Sequence, residues 1–433
     1  MKRIPAVLLV ASVSLSLFSQ EDKIKSGWNI GVLPAISFNT ELGFQYGGLI
    51  NLYHYGDGSN YPAYNHSLYL EISRYTKGSS IYRFMYDSDV LIPGISLTTD
   101  ISFLTDEAFD FYGFNGYESV YNQSFSEDST RMFYKHKRTL FRFKNDLKGR
   151  LAGDHFFWNA GLTIKSFNVR SVDIDKLNKG KDEDLLPPVD GLYDKYVNWG
   201  IIDQDEADGG LIATVKAGVS YDSRDFKANA MKGIWFETGV EVSPSFISEN
   251  GFARFYAVHR QYFTLIPRNL SFAYRLGYQT TFAGEVPFYF QNQIITSVLT
   301  GTVSEGLGGE KTIRGILRNR IVGDGLLYGN LELRWKAIRF SFINQNFYTG
   351  LVGFSDVGMV TKNHEFDIPD DAALAGESAT DYFNPGQENI HLSAGAGLRI
   401  VMNENFIIAV DWGKAFNEQD GDSGFYIGLN YLF

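Results

Sequence analysis

Leu326-Leu327-Tyr328-Gly329-Asn330-Leu331-Glu332-Leu333-Arg334-Trp335-Lys336 is the stretch on which the fold turns. Leu327, Leu331, Leu333 and Trp335 fall on one side of an extended chain, and Tyr328, Asn330, Glu332, Arg334 and Lys336 on the other. A repeat of two residues is the mark of a strand with unlike faces, whereas a helix would repeat near 3.6. The pattern spreads outward from there. In 268–280, Leu270, Phe272, Tyr274, Leu276 and Tyr278 oppose Ser271, Ala273, Arg275, Gly277 and Gln279. Ile234, Phe236, Val240 and Val242 stand against Glu237 and Glu241, and Leu68, Leu70 and Ile72 against Ser67, Tyr69, Glu71 and Ser73.

Alternation suits a soluble sandwich as well as a membrane barrel, and strand length separates them. Many of these segments run for about ten to fifteen residues, against about five or six in sandwiches and about nine to eleven in tilted membrane strands. The N-terminus adds a second pointer. Lys2 and Arg3 precede an apolar stretch from Ile4 to Leu17, with Ser14, Ser16 and Ser19 as small residues near a cleavage point. This pattern predicts a signal peptide over 1–20, followed by a barrel over 21–433. The run is short for a membrane anchor, which needs about twenty apolar residues. No later run approaches that length, so a membrane-embedded mature chain must cross as strands.

Reading the repeat along the chain predicts strands near 29–39, 41–55, 65–77, 79–90, 94–104, 131–148, 152–169, 210–222, 232–245, 252–265, 268–283, 326–336, 338–360, 390–401, 405–415 and 424–433. The expectation is an all-β, antiparallel transmembrane barrel of about sixteen strands, an even number as single-chain bacterial barrels require. The segment 338–360 is long for one strand, so its first part is expected to be turn. Pro62, Pro93, Pro187, Pro188, Pro267, Pro287, Pro369 and Pro385 fall in connections, where no ladder donor is lost, while Pro34 and Pro244 fall inside strands. The four long connections, about 105–130, 170–209, 284–325 and 361–389, all follow odd-numbered strands, as they should if long loops share one side of the membrane.

Composition narrows the function. A formal net charge of −11 argues against a nucleic-acid partner, which needs a basic face. The 26 Tyr, 35 Phe and 44 Gly suit twisted strands with aromatic girdles better than a helical enzyme. With no Cys there is no disulfide, thiolate zinc site, thiol nucleophile or acylated lipoprotein cysteine. Seven scattered His without H-E-x-x-H, and no Gly-x-Ser-x-Gly, speak against a metalloenzyme and a serine hydrolase. The expectation is a non-enzyme with neither metal nor cofactor.

Three motifs remain. The first is Gly308-Gly309-Glu310-Lys311-Thr312-Ile313-Arg314-Gly315-Ile316, then Gly323-Asp324-Gly325 and the strand beginning Gly329-Asn330. The second is Tyr221-Asp222-Ser223-Arg224-Asp225 with Lys232-Gly233, and the third Phe354-Ser355-Asp356-Val357-Gly358. Together they resemble the bacterial surface-antigen superfamily, the sixteen-stranded barrels of BamA- and TamA-like insertases and two-partner-secretion translocases. The family's Val-Arg-Gly-Phe/Tyr reads Ile313-Arg314-Gly315-Ile316 here, so the aromatic is lost and packing at Ile316 must differ. The ending Phe425 to Phe433, with Tyr431 and Phe433 in matching places, resembles the family's C-terminal recognition signal.

The resemblance implies a long loop folded into the lumen, with Arg314 paired to Asp356 and to Glu332 on the polar face of its strand. Without the family, Arg314 reads as a solvated loop charge that contributes little to stability. Only about ten residues separate the signal peptide from strand one, which leaves no room for a polypeptide-transport-associated (POTRA) domain. The functional expectation is an outer-membrane barrel in contact with lipid that assists protein or lipid insertion or translocation, with client proteins and partner subunits. A passive pore or structural barrel is the alternative. The acidic segment 170–209 reads as a solvated loop. Pro34, in the strand that must close against Gly424–Phe433, marks a candidate weak seam.

Overall fold

The computed structural model describes residues 25–433 apart from 60–63, 127–129, 249–250, 298–303, 343–344, 371–372, 375, 403 and 405. The expected signal peptide and Pro62 lie outside the described residues. Sixteen strands form one closed antiparallel barrel. β1 is Trp28–Pro34 continued by Ser37–Asn39, β2 Gly43–His54, β3 His66–Tyr75, β4 Ser80–Ile92 and β5 Ile95–Asp110. β6 is Lys135–Ala152, β7 Phe156–Arg170, β8 Leu211–Asp222, β9 Gly233–Ser243, β10 Phe252–Ile266 and β11 Leu270–Gly284. β12 is Gly325–Phe342, β13 Gln345–Lys362, β14 His391–Met402, β15 Phe406–Ala415 and β16 Ser423–Leu429. Each strand pairs with the next, and β16 returns to β1.

The polarity of the wall is the reverse of a soluble core. On β12, Leu331 and Trp335 are 46% and 50% exposed, while Asn330 and Glu332 are fully buried. Apolar side chains therefore face outward in a band suited to lipid, and polar ones face the barrel interior. Among the described residues no helix is long and apolar enough to cross a membrane. The closed ladder does that work, since it satisfies the backbone within the sheet.

Several boundaries differ from the sequence reading. β12 continues past Lys336 to Phe342, which pairs with Gln345 of β13, rather than ending near 337. The cause is a bulge between Lys336 and Ile338. One extra residue switches the parity, so Ile338 and Phe340 continue the outward face that Leu333 and Trp335 began. β5 likewise runs on to Asp110 through a register shift after Asp106. Pro244 lies just beyond the end of β9. β16 stops at Leu429, because Asn430 takes a left-handed conformation (φ 71°) that turns the last residues away from the ladder.

The long connections 111–134, 171–210, 285–324 and 363–390 follow β5, β7, β11 and β13, and so gather at one end. There they share an apolar cluster that includes Phe111, Phe114, Tyr196, Phe288, Phe290 and Phe383.

Candidate functional site

The segment 306–322 between β11 and β12 packs against the polar face of β12, β13 and β15. Its aliphatic residues set its shape: Leu307, Ile313, Ile316 and Ile321 are fully buried and cluster with Tyr328 and Val360. Ile316 fills the place of the family's aromatic as part of this aliphatic group. Thr312 Oγ1 accepts from the Gly308 amide and donates to the Gly308 carbonyl, both at 2.9 Å, which folds the segment tightly before the arginine.

Arg314 is 1% exposed. Its Nε donates to Asp356 Oδ2 at 2.9 Å and its Nη2 to Asp356 Oδ1 at 3.0 Å, a bidentate pair that fixes a planar guanidinium. Its backbone amide donates to the same carboxylate at 3.0 Å. Nη1 lies 2.7 Å from Glu332 Oε1 and 3.7 Å from Asp411 Oδ2. Each residue of Phe354-x-Asp356-x-Gly358 meets one feature of the loop. The Phe354 ring lies under the guanidinium at 3.6 Å, Asp356 pairs with it, and Gly358 leaves room for Ile313, whose Cδ1 stands 2.3 Å from where a Cβ would be. Gly315 has φ 90°, and a Cβ there would meet the β15 backbone at Gly413 at 2.5 Å. Only glycine fits that crossing.

The second feature is the closure between β1 and β16. Asn39 pairs with Tyr426 and Phe38 with Ile427, and the strand ladder ends there. Thr40 extends it at the loop-rich end, its amide donating to the Phe425 carbonyl at 3.2 Å. From Trp28 to Pro34, β1 has β2 on one side and no ladder partner on the other among the described residues. In an antiparallel ladder alternate residues point their amides to opposite neighbours. The amides of Ala35 and Tyr55, bonded to Gly47 and Gly27, show that odd-numbered residues of β1 face β2. Pro34, which has no amide hydrogen, therefore stands with the residues that face the seam.

Phe433 is not at that seam. Beyond Asn430, whose amide donates to the Ile407 carbonyl, the chain turns onto the polar face. Tyr431 packs beside Tyr348, and Phe433 beside Tyr262 and Ala273.

The family model for the Omp85 superfamily domain matches residues 94–433. The chain belongs to the Omp85 superfamily. Its fold is similar to that of BamA from Haemophilus ducreyi lacking POTRA domains 1–3, at 16% identity and a TM-score of 0.56, covering 94% of this chain and 71% of that one. It is also similar to CdiB from Escherichia coli, at 12% identity and a TM-score of 0.55, covering 92% of this chain and 63% of that one. The chain thus spans less than two thirds of CdiB. No curated protein matches the sequence. Superfamily and fold together point to the outer membrane.

The remaining Omp85 motif builds the connection from β8 to β9. Arg224 clamps Asp222 through Nε at 2.9 Å and Nη2 at 2.7 Å, and Asp225 accepts from the Met231 amide at 3.0 Å. The Trp235 ring is sandwiched between Arg224 and Arg260, at 3.9 and 3.8 Å. These contacts give a ten-residue connection a fixed form without a ladder of its own. Sequence reasoning missed Asp411, which holds Arg399 at 2.7 Å beside the Arg314 site, and it missed the inward course of Tyr431 and Phe433. A charge pattern does show Asp411 on a polar face, but strand-to-strand stagger decides what it meets.

Proposed function

We propose that this Omp85 barrel assists insertion or translocation of protein or lipid at the outer membrane, and that the β1–β16 seam is the element through which it acts. One observation carries this reading: a closed barrel otherwise zipped along its strands has two strand-ladder residue pairs at its closure. Unpaired amides in lipid cost several kcal/mol each, so an edge left open from Trp28 to Pro34 calls for a partner strand or a lipid defect. In this reading segment 306–322 is folded into the lumen as a plug, held by Arg314. The barrel is not an enzyme, needs no cofactor, and works with client chains and partner subunits.

Cysteine pairs test it directly, since the chain has no native Cys. Continuing the seam register sets Gly428 against Ser37 and Leu432 against Leu33. Ser37→Cys with Gly428→Cys, the position next to the paired residues, should lock the seam when oxidised. In cells that depend on the protein, the locked barrel should be folded yet inactive, with activity restored by reductant. Normal growth and normal outer-membrane composition with the seam fully cross-linked would assign the protein to passive structural barrels instead.

A further inference from the structure

The C-terminal tail and the plug segment share their anchors. Glu332 is a fully buried carboxylate held by two guanidiniums: its Oε1 faces Arg314 Nη1 at 2.7 Å and its Oε2 accepts from Arg334 Nε at 2.7 Å. Arg334 then reaches Phe433, its Nη2 donating to the Phe433 main-chain oxygen at 2.9 Å. The guanidinium also lies 4.4 Å from the Tyr431 ring and 4.8 Å from the Phe433 ring. Its Nη1 is buried and makes no hydrogen bond.

A second link runs in parallel. Arg275 on β11 donates through Nη2 to the carbonyls of Lys311 and Thr312 in the plug segment, at 3.2 and 3.4 Å. The same guanidinium lies 5.4 Å from the Phe433 ring. Arg275 therefore touches both the plug and the tail, and Arg334 touches the tail and reaches the plug through Glu332.

The geometry points to Arg334 and Arg275 as positioning residues that join tail and plug into one unit, so that the docked plug holds Tyr431 and Phe433 on the wall and keeps β16 from extending along β1. The alternative position of the tail is defined by the seam register. Extension of β16 sets Tyr431 opposite Pro34. Since Asn39–Tyr426 and Phe38–Ile427 alternate, with the Thr40 amide bonded to Phe425, the Pro34–Tyr431 position is one that calls for an amide donor from β1. Proline has none. The extended seam is thereby weakened where it would begin, and the two arginines reward the tail for turning inward. Coupling of this kind is reciprocal: what loosens the tail must loosen the plug by the same factor. The inference extends the reading of the seam above but concerns only the barrel's own conformation. Its test in purified protein can fail while the growth experiment succeeds, and the reverse.

Leu33→Cys with Leu432→Cys reports the extended state, because this is a close, non-hydrogen-bonded position in the continued register. In otherwise native barrel, disulfide yield should be low. Arg334→Lys keeps the charge but cannot span Glu332 and the Phe433 main-chain oxygen together, and should raise the yield several-fold. Arg275→Lys should raise it through the second link, and Asp356→Asn should raise it through the plug alone. Retention of the heat-dependent gel mobility of folded barrels qualifies each variant. Conversely, Arg334→Lys should speed proteolysis within 285–324. A yield unchanged in both arginine variants overturns the clamp. A rise in those variants with Asp356→Asn at the native level, or with no change in proteolysis, overturns the coupling.

Discussion

Arg314 neutralises two fully buried carboxylates at once, so removing it should cost more than removing either acceptor. Arg314→Ala leaves Glu332 without one of its two cations and Asp356 without any ion-pair partner. Breaking a buried pair from one side typically costs about 3–5 kcal/mol. Asp356→Asn keeps an acceptor for the Arg314 amide and should cost clearly less. The midpoint of the heat-induced mobility change would rank the two, with protease access to 285–324 as a second readout. Exchanging the charges at Arg314 and Asp356 should give no rescue, because a carboxylate at 314 would face Glu332 and Asp411. Adding Glu332→Gln to the exchange should recover part of the loss. The motif and the alternating face of β12 name Asp356 and Glu332 from sequence alone. Phe354 beneath the guanidinium and Asp411 beyond it are legible only once strand stagger is known.

At the scale of elements, the loop-rich end is tied together by single residues that reach across several connections. Arg320, 1% exposed, donates to the carbonyls of Gly116, Ser119 and Gln419 at 2.9, 2.9 and 2.7 Å, and so joins three connections. Tyr117 adds a bond to Asp420 at 2.6 Å, and Asp420 also meets His391 at 2.5 Å. Arg320→Ala would strand three carbonyl acceptors, each costing about 1–3 kcal/mol where water cannot enter. The expected outcome is faster limited proteolysis within 111–134 and 416–422. The heat-mobility midpoint should move less than in Arg314→Ala, because the acceptors stranded are neutral carbonyls of loops rather than buried carboxylates of the wall strands. The strands were legible because period two survives wherever lipid meets one face. The bulge at Ala337 hid the end of β12 by reversing that parity. The acidic segment 170–209 reads as a solvated loop, yet Leu192, Tyr193 and Tyr196 of its helix Leu192–Asn198 are buried. Their apolar contacts come from other loops, which local periodicity does not record.

For the whole molecule, the closed half of the seam depends on one carboxyl group in the turn from β1 to β2. The Glu41 carboxyl lies against β16, its Oε1 accepting from Tyr426 Oη at 3.3 Å and its buried Oε2 making no hydrogen bond. Burial pushes its pKa up from 4.5 to about 7, and nearby Asp110 adds to the rise while Arg318 opposes it. The sign follows from linkage. A carboxyl whose pKa is raised on folding binds its proton more tightly in the folded state, so its contribution is complete below pH 4.5 and is lost as pH rises through about 7. Above that pH a charged carboxylate sits at the end of the short ladder formed by Asn39–Tyr426 and Phe38–Ile427 and extended by Thr40. The seam should therefore be tightest in mild acid and looser above neutrality. Oxidised Ser37→Cys/Gly428→Cys yield and heat-mobility midpoint should both fall as pH rises from about 5 to 8, with thiol reactivity corrected using an exposed single cysteine. Glu41→Gln, neutral at every pH, should hold both near their low-pH level. A pH profile identical in Glu41→Gln and the native chain would place the titrating group elsewhere, and would leave the outer half of the seam without a proton-sensitive hold.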